Sequence, residues 1–319
     1  MEDMSEFHFS PGHQIELHGT DLNVSYGQTV ALDIPYLHAA GKIIAVIGHN
    51  GSGKSTLIKT LLGLLSPRSG RLTGYFHHLN QRHQLVPEQH MAFSPENGSV
   101  FGDVSVESYV KWWCRIKHNR GDYYLKEGSR FIEQMEIAPL LRKMGRELSK
   151  GQRRRVQIAV GFLARPKLFL FDEPFDGLDI AQSNQLSSVI AAESKHMGMI
   201  ISSHRMEVVE RVADLVIVLD KGRVIACGPV DEVCGQLCGQ SVTISNLGEM
   251  IASILPALRE AFSSCLVHTI GSQVSITGTE ISIERLAMFL EERELRDLLL
   301  RPTRPSLVDA MQYHLQKLH

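Results

Sequence analysis

The fold of this chain is decided by the stretch Gly48-His49-Asn50-Gly51-Ser52-Gly53-Lys54-Ser55-Thr56. The apolar run before it predicts a buried strand, and the run after it has apolar residues at helical spacing. A glycine-rich turn between a strand and a helix lets backbone N–H groups surround an anion at the positive end of the helix dipole. In such a loop Lys54 reaches the β- and γ-phosphates, and Ser55 ligates Mg²⁺. The stretch therefore predicts a site for a nucleoside triphosphate with Mg²⁺.

The bulk composition excludes several classes of protein. A length of 319 residues suits one large domain or two unequal ones. With 33 basic and 35 acidic residues the net charge is −2, so we expect no nucleic-acid partner. Five cysteines, an odd number, do not suit a disulfide framework, and we interpret Cys234 and Cys238 as small buried or half-buried side chains rather than metal ligands. No apolar run approaches the ~20 residues of a spanning helix, so work at a membrane would need a partner.

The N-terminal quarter predicts a short lead followed by an antiparallel sheet. Residues 1–13 lack the apolar core of a signal peptide, and we expect them to be disordered. From residue 14, the alternation in Ile15–His18 and Leu22–Tyr26 predicts edge strands. Tyr26 could stack on a purine base or be an ordinary strand tyrosine. The histidines of the polar segment 77–90 match no metal-ligand spacing, and we predict a solvated loop and a short helix there.

A change of pattern then predicts an all-helical insertion within an α/β domain. No strand-like run occurs from about 103 to 165. Ser105 is expected to N-cap the first helix, on which the adjacent Trp112 and Trp113 cannot share a face. We therefore expect one tryptophan in the core and the other on the surface. The arginines at 153–155 are expected to be solvated or paired.

Two carboxylates, Asp172 and Glu173, directly follow a buried apolar strand. Adjacent acids at such a position are costly unless they are used. In a phosphate-loop enzyme the first holds Mg²⁺ through water, and the second polarises an attacking water. Another apolar strand ends at His204, which places a possible γ-phosphate donor at the same sheet edge as Lys54.

Taken in order, these motifs resemble the ATP-binding-cassette (ABC) ATPases over about residues 14–240. The motifs are the phosphate loop, the Leu-Ser-Lys-Gly-Gln signature at 148–152, the strand at 168–173, the Gly-Leu-Asp turn at 177–179 and His204. The signature separates this family from other phosphate-loop proteins. The resemblance implies an α/β fold: a phosphate-loop ATPase core with an antiparallel β subdomain and an all-helical insertion at about 97–165. A small C-terminal α/β accessory domain would occupy 241–319. It would serve dimerisation or regulation, or else be a packing appendage with no role of its own.

The resemblance also implies the cofactors ATP and Mg²⁺ and a role for each matching position. Mg²⁺ would be held by Ser55, Glu96 and Asp172. Glu173 would be the general base, with Lys54 and His204 contacting the phosphates. The nucleotide-binding positions would be Tyr26, which stacks on adenine, and Gly48, Asn50, Gly51, Ser52, Gly53, Lys54, Ser55 and Thr56.

In this family two cassettes sandwich two ATPs head to tail. Ser149, Gly151 and Gln152 would then serve the nucleotide bound by the other subunit, and Asp179 would link the two sites. Because this chain has one cassette, the resemblance implies a homodimer or pairing with a second cassette.

Two departures from the family pattern bear on the function. Glu96 stands where a glutamine is usual, but the exporter-type cassettes of multidrug, polysaccharide and copper-site maturation systems often carry Pro-Glu there. Lys150 replaces the second glycine of the signature, which is a common variant. The segment Pro305–Met311 also resembles the ending of those exporter cassettes. We therefore expect ATP hydrolysis and an exporter-type cassette.

The expected function is that of an ATP-hydrolysing subunit that drives a separate integral membrane permease, with export as the expected direction. The chain would be cytoplasmic and peripheral on the inner face of the cell membrane through the permease. The alternative is a soluble cassette ATPase acting on the ribosome or DNA, but such proteins usually carry two cassettes or a long coiled coil. A GTPase is disfavoured because the Asn-Lys-x-Asp motif is absent.

Overall fold

The computed structural model describes residues 15–78, 81–97, 100–295 and 297–317, apart from the side chain of His78. The lead expected over residues 1–13 lies outside this part. The chain forms two compact units: Met1–Val208 with Val212–Ile225, and Val209–Arg211 with Ala226–His319. The division therefore comes before the boundary of 240 expected from the sequence.

A six-stranded sheet in the order β10-β9-β3-β8-β7-β6 positions the phosphate loop. Its strands are β3 (Ile43–Ile47), β6 (Met91–Ser94), β7 (Leu168–Asp172), β8 (Gly198–Ser203), β9 (Leu215–Asp220) and β10 (Arg223–Gly228). Every residue of β3, β7 and β8 is buried, as expected for parallel strands covered on both faces. Because these three strands are parallel, their carboxyl ends meet at one edge, where the loop at 48–53, Glu173 and His204 follow them.

A four-stranded antiparallel sheet in the order β2-β1-β4-β5 lies in the same unit. Its strands are β1 (Ile15–Tyr26), β2 (Thr29–Gly41), β4 (Ser69–His78) and β5 (Gln81–Gln84). The solvated loop expected within segment 77–90 is wrong for the described residues before α2, because His77 pairs with Arg82 in the ladder between β4 and β5. The short helix expected beyond it is α2 (Pro87–His90).

The described residues between β6 and β7 form helices and 3₁₀ turns and no strand, as the sequence predicts. The helices of the first unit are α1 (Lys54–Leu61), α2, α3 (Val106–His118), α4 (Ser129–Gln134), α5 (Lys150–Leu163) and α6 (Ile180–Glu193); α7 (Met206–Val212) carries residues of both units. The Ser105 hydroxyl caps α3 by accepting a bond of 3.2 Å from the Ser108 N–H. Trp113 packs against the core while Trp112 is half exposed, which confirms their opposite placement.

The second unit contains a split βαβ arrangement. Its elements are α8 (Val230–Cys238), β11 (Gln240–Ser245), α9 (Ile251–Ala261), β12 (Leu266–Ile270), β13 (Gln273–Gly278), α10 (Ile283–Glu291), β14 (Leu299–Thr303) and α11 (Leu307–Lys317). The strand order β12-β13-β11-β14, with every pair antiparallel, is that of a ferredoxin-like fold. The expected α/β character is confirmed, and β14 is an additional strand. Helix α8 packs on α11, which explains why the division between the units precedes residue 240.

Candidate nucleotide-binding site

The phosphate loop connects β3 to α1 along a path that requires glycine. Gly53 has a φ of +108°, and a Cβ there would lie 2.9 Å from the Ala31 carbonyl oxygen. The buried Lys54 side chain folds back over the loop, and its Nζ donates to the carbonyl oxygens of Gly48 (3.0 Å) and His49 (3.2 Å). The loop therefore holds a cation beside the N-terminus of α1, where backbone N–H groups and the helix dipole both favour an anion.

Asp172 ends β7 and shares its carboxylate with two hydroxyls. Its Oδ1 accepts a bond of 3.0 Å from the Ser55 hydroxyl and one of 2.6 Å from the Ser202 hydroxyl. A carboxylate beside a hydroxyl is a set of hard oxygen donors, which Mg²⁺ prefers. The residues present therefore fit a magnesium ion.

Glu173 is held in a conformation that is rare for a residue with a side chain, with a φ of +49°. Its N–H donates to Ser202, at 3.0 Å to the hydroxyl and 3.1 Å to the carbonyl oxygen. Its Oε2 lies 3.0 Å from His204 Nδ1 and accepts from the His204 N–H at 3.2 Å, while its Oε1 lies 3.5 Å from Lys54 Nζ. These contacts fix a buried carboxylate where it can accept a proton from a bound water.

A cavity of about 500 Å³ opens above these groups. It is lined by predicted site residues, namely Tyr26, Asn50, Gly51, Gly53, Lys54, Ser55, Thr56, Glu96, Glu173 and His204, and also by Thr29, Val30, Ala31 and Asp176. Tyr26 is half exposed and lines the cavity, so its side chain is accessible to a ligand there. Gly48, Ser52 and Asp172 do not line the cavity, although Gly48 and Asp172 contact Lys54 and Ser55, which do.

The remaining predicted residues lie outside the lining of this cavity. The exposed Ser149 N-caps α5 in a capping box with Gln152, with both bonds at 3.2 Å. Asp179 caps α6 by accepting a bond of 2.8 Å from the Gln182 N–H. A Cβ on Gly151 would lie 2.8 Å from the Gly177 carbonyl oxygen, so the signature lies beside the turn that carries Asp179.

Two residues that organise the site were not predicted from the sequence. Ser202 bonds both carboxylate residues, and its hydroxyl at the end of an apolar strand is the signal that could have identified it. The second is Arg154, which is only 3% exposed although it lies in a run of three arginines. Its position one turn before the buried Ile158 on α5 would have indicated an inward-facing side chain.

The comparisons with known proteins agree with this geometry. Residues 29–176 match the ABC transporter family. YhaQ of Bacillus subtilis (strain 168), an uncharacterised ABC transporter ATP-binding protein, is 28% identical over 280 residues, which cover 84% of this chain and 90% of that protein. ModC of Escherichia coli (strain K12), a molybdenum import ATP-binding protein, is 30% identical over 222 residues, or 67% of this chain and 62% of that protein.

A solved structure of the ATP-binding subunit of an ABC transporter has the same fold. It is 28% identical, with a TM-score of 0.59 over 69% of this chain and 92% of that one. The chain described here therefore carries an ATP-binding cassette of the ABC transporter family and is an ATPase.

Proposed function

We propose that this chain is the ATP-hydrolysing subunit of an exporter-type ABC transporter and drives a separate membrane subunit. The observation that carries the proposal is the convergence of Lys54, the Ser55–Asp172 pair and Glu173 at one edge of the parallel sheet. A cation, a set of hard oxygen donors and a fixed carboxylate are the groups that phosphoryl transfer to water requires.

Each group has a separate role in the proposed reaction. Tyr26 stacks on the adenine, and the loop N–H groups with Lys54 bind the phosphates. Ser55 and Asp172, with Glu96 from another part of the cavity wall, would hold Mg²⁺, which neutralises phosphate charge when it is bound. Glu173 takes the proton from the attacking water, and His204 positions Glu173 through its two contacts with Oε2.

The proposed assembly is a dimer of cassettes, either two copies of this chain or one copy with a second cassette. The support is that Ser149 and Asp179 are exposed and lie outside the cavity of their own chain. A second cassette can bring such residues to the open side of the nucleotide. ATP would then close the dimer, and hydrolysis would reopen it.

The proposed membrane partner contacts the helical segment and the loop at Glu96. A groove of about 390 Å³ lies there, and its walls include Phe93, Pro95, Tyr109, Trp113 and Lys117. Among the described residues, no helix combines the length and the apolar character needed to cross a bilayer. We infer that the chain is attached to the cytoplasmic face of the membrane through an integral subunit, because it matches ATP-binding proteins of ABC transporters.

Export as the direction of transport is supported by Pro95-Glu96 and by Pro305–Met311, which resemble exporter cassettes. The relative ModC is by name an import protein, so likeness to relatives does not carry the direction. The alternative of a soluble ATPase acting on the ribosome or DNA is not favoured, because the matched proteins are named as transporter subunits.

The first test compares ATP turnover by the purified wild-type chain and by Glu173→Gln. Loss of a general base predicts a fall in kcat of about 10²- to 10⁴-fold. Glu292→Gln, at a side chain that is 72% exposed, is the matched control and should retain turnover. Equal turnover by all three proteins would remove Glu173 from the mechanism.

The dimer is tested at Ser149. Aspartate caps helices as well as serine does, so Ser149→Asp should retain stability while Ser149→Ala loses about 1 kcal/mol. Because the aspartate adds negative charge beside the partner's phosphates, Ser149→Asp should nevertheless lose turnover. Full turnover by Ser149→Asp would contradict the shared site.

Size exclusion of Glu173→Gln with ATP and Mg²⁺ should show a stable dimer.

The membrane partner is tested by affinity capture of the tagged chain from detergent-solubilised membranes. We expect an integral membrane protein to co-purify with the wild-type chain. Lys117→Glu, in the groove, should reduce this capture, whereas Lys126→Glu, outside the groove lining at a 63% exposed side chain, should not. Capture without any integral membrane protein would contradict the proposal.

A further inference from the structure

A second cluster of ionisable side chains lies on the antiparallel sheet, away from the nucleotide cavity. We call Glu16, His18 and His38 the Glu16 cluster. Glu16 and His18 are two residues apart on β1 and so project from the same face of the sheet. His38 lies directly across from His18 in the ladder between β1 and β2. Backbone pairing therefore brings the three side chains together.

The ligand atoms of the Glu16 cluster are close enough to share one ion. Glu16 Oε1, His18 and His38 each offer an atom within 4.8 Å of the others. His18 Nε2 contacts Glu16 Oε1, and His38 Nε2 lies 3.2 Å from the same oxygen. Each histidine thus directs its Nε2 atom at Glu16 Oε1.

The other oxygen of Glu16 is held by neighbouring strands. Glu16 Oε2 accepts a bond of 2.8 Å from Arg82 Nε and lies 3.2 Å from His77 Nε2. These contacts hold the carboxylate in place and leave Oε1 directed at the two histidines, as contacts outside the ligand set orient the ligands of metal sites.

We propose that Glu16, His18 and His38 bind a divalent transition-metal ion, for which Zn²⁺ is the best match. Two imidazole nitrogens and one carboxylate oxygen are a common zinc ligand set, and three protein ligands leave a fourth position for water. Imidazole ligands favour zinc-like ions over Mg²⁺, which distinguishes this site from the Ser55–Asp172 pair. The His18 and His38 side chains are 35% and 32% exposed, so an ion can enter from solvent.

The bound ion would join β1 to β2 at the His18–His38 pair. A ligand that binds only the folded chain stabilises it in proportion to the logarithm of its concentration over Kd. The metal site is independent of the proposed transport function, because none of its ligands lines the nucleotide cavity.

The experiment titrates Zn²⁺ by calorimetry into the full chain after removal of metals with a chelator, in the presence of excess Mg²⁺. The wild type is compared with His18→Gln, His38→Gln, the double variant His18→Gln/His38→Gln, His83→Gln and His204→Gln. His83, on β5, stacks on the Phe76 ring and is the matched histidine control. His204 tests zinc bound by the other compact group, Glu173, Asp176 and His204.

The double variant should bind one equivalent of Zn²⁺ fewer than the wild type, and each single variant at His18 or His38 should bind at least about tenfold more weakly. His83→Gln and His204→Gln should retain that equivalent. Unchanged binding in the double variant, or loss of this equivalent in His204→Gln instead, would overturn the proposal.

Co²⁺ added to the wild-type chain gives a test that needs no variant to fold. A site with two imidazoles and a carboxylate should give intense visible absorption bands typical of four- or five-coordinate Co²⁺, and Zn²⁺ should abolish them. Weak bands like those of Co²⁺ in water would exclude the site. For the variants at His18, His38 and His83, circular dichroism and retained ATP turnover show that the fold is intact; for His204→Gln, circular dichroism alone is used.

Discussion

Arg154 connects two parts of the candidate site. Its guanidinium donates to the carbonyl oxygens of Pro95 (2.7 Å) and Glu96 (2.6 Å), and Nη1 lies 3.5 Å from the Asp172 carbonyl oxygen. Burial lowers the pKa of Arg154, whereas the carboxylates of Asp176, Glu96, Asp172 and Glu173 favour its charged form. The side chain thus fixes the Glu96 loop relative to the end of β7.

Replacing Arg154 by lysine should destabilise the chain by about 2–3 kcal/mol, because one ammonium cannot reproduce the planar fork that serves two carbonyl groups. The measurement is the midpoint of urea unfolding at an unchanged slope. The control is Arg223→Lys, because the Arg223 side chain is 70% exposed and pairs with an Asp33 side chain that is 45% exposed. The control should lose less than about 1 kcal/mol. Equal losses for both variants would show that the buried fork does not contribute.

The sequence predicted the charged catalytic candidates more readily than the residues that hold them. Lys54, Asp172 and Glu173 stand in motifs whose spacing is local. Arg154 is one of three adjacent arginines, and its spacing of one helical turn from the buried Ile158 is the signal that distinguishes it from the other two. The sequence predicted that these arginines are solvated or paired, because three adjacent residues on one helix turn face several directions.

Cys234 and Cys238 should be nearly unreactive in the folded chain at pH 8. Burial raises the pKa of both thiols to about 12, and Cys238 Sγ donates to the Cys234 carbonyl oxygen. Relative to an ordinary thiol near 8.5, the thiolate fraction falls about a thousandfold. Because the folded pKa is raised, the reaction should accelerate as pH rises towards 12.

The measurement is iodoacetamide labelling at pH 8, followed by mass spectrometry of the peptide that contains α8. The same reaction in denaturant is the control and should label both sites quickly. Labelling at equal rates with and without denaturant would contradict the buried placement.

Helix α5 packs closely against the parallel sheet at Gly161. A Cβ on Gly161 would lie 2.0 Å from Cζ of Phe169, a residue of β7. The Phe169 ring cannot move aside easily, because it packs against Phe162 and Phe171 with ring centroids 5.1 and 3.9 Å away. Glycine at 161 therefore sets how closely α5 approaches β7.

Gly161→Ala should destabilise the chain by about 1–3 kcal/mol, because overpacking outweighs the better helix propensity of alanine. Gly235→Ala on α8 is the matched substitution, since a Cβ there meets nothing within 4 Å. It should stabilise the chain by about 0.5–1 kcal/mol. Both are measured by urea unfolding. A stabilising effect of Gly161→Ala would mean that the helix can move away from the sheet at little cost.

Hydrophobic patterning predicted the elements that bury apolar residues well and the polar β4–β5 hairpin poorly. The opposite placement of Trp112 and Trp113 follows from helix geometry alone. The β4–β5 hairpin was missed because His77, Arg82 and their neighbours are polar, and the pairing is stabilised by contacts with Glu16 on β1. Such contacts between strands distant in sequence are invisible to a local pattern.

At the scale of the molecule, strand order is the property that the sequence did not determine. The edge at which the phosphate loop, Glu173 and His204 meet was predictable because parallel strands align their carboxyl ends. The ferredoxin-like order of the second unit depends on which strands pair, and β14 was missed because Leu299–Thr303 contains a proline and lacks apolar alternation. The Glu16 cluster was also missed, because its side chains come together only through the pairing register of β1 and β2.

Each unit contains a hydrophobic core of its own. Ile201 belongs to the core of the first unit and Ile276 to that of the second, and both are fully buried. All residues that line the nucleotide cavity belong to the first unit. We therefore expect two transitions in a calorimetric melt, one for each core.

Substitutions and nucleotide should move these transitions separately. Ile276→Val should lower only the second unit's transition and Ile201→Val only the first unit's, each by the few degrees that about 1 kcal/mol produces. Glu173→Gln with Mg²⁺ and ATP at 100 times Kd should raise only the first unit's transition, because binding there stabilises by about 2.7 kcal/mol. A single transition shifted by all three changes would show instead that the two cores unfold as one cooperative unit.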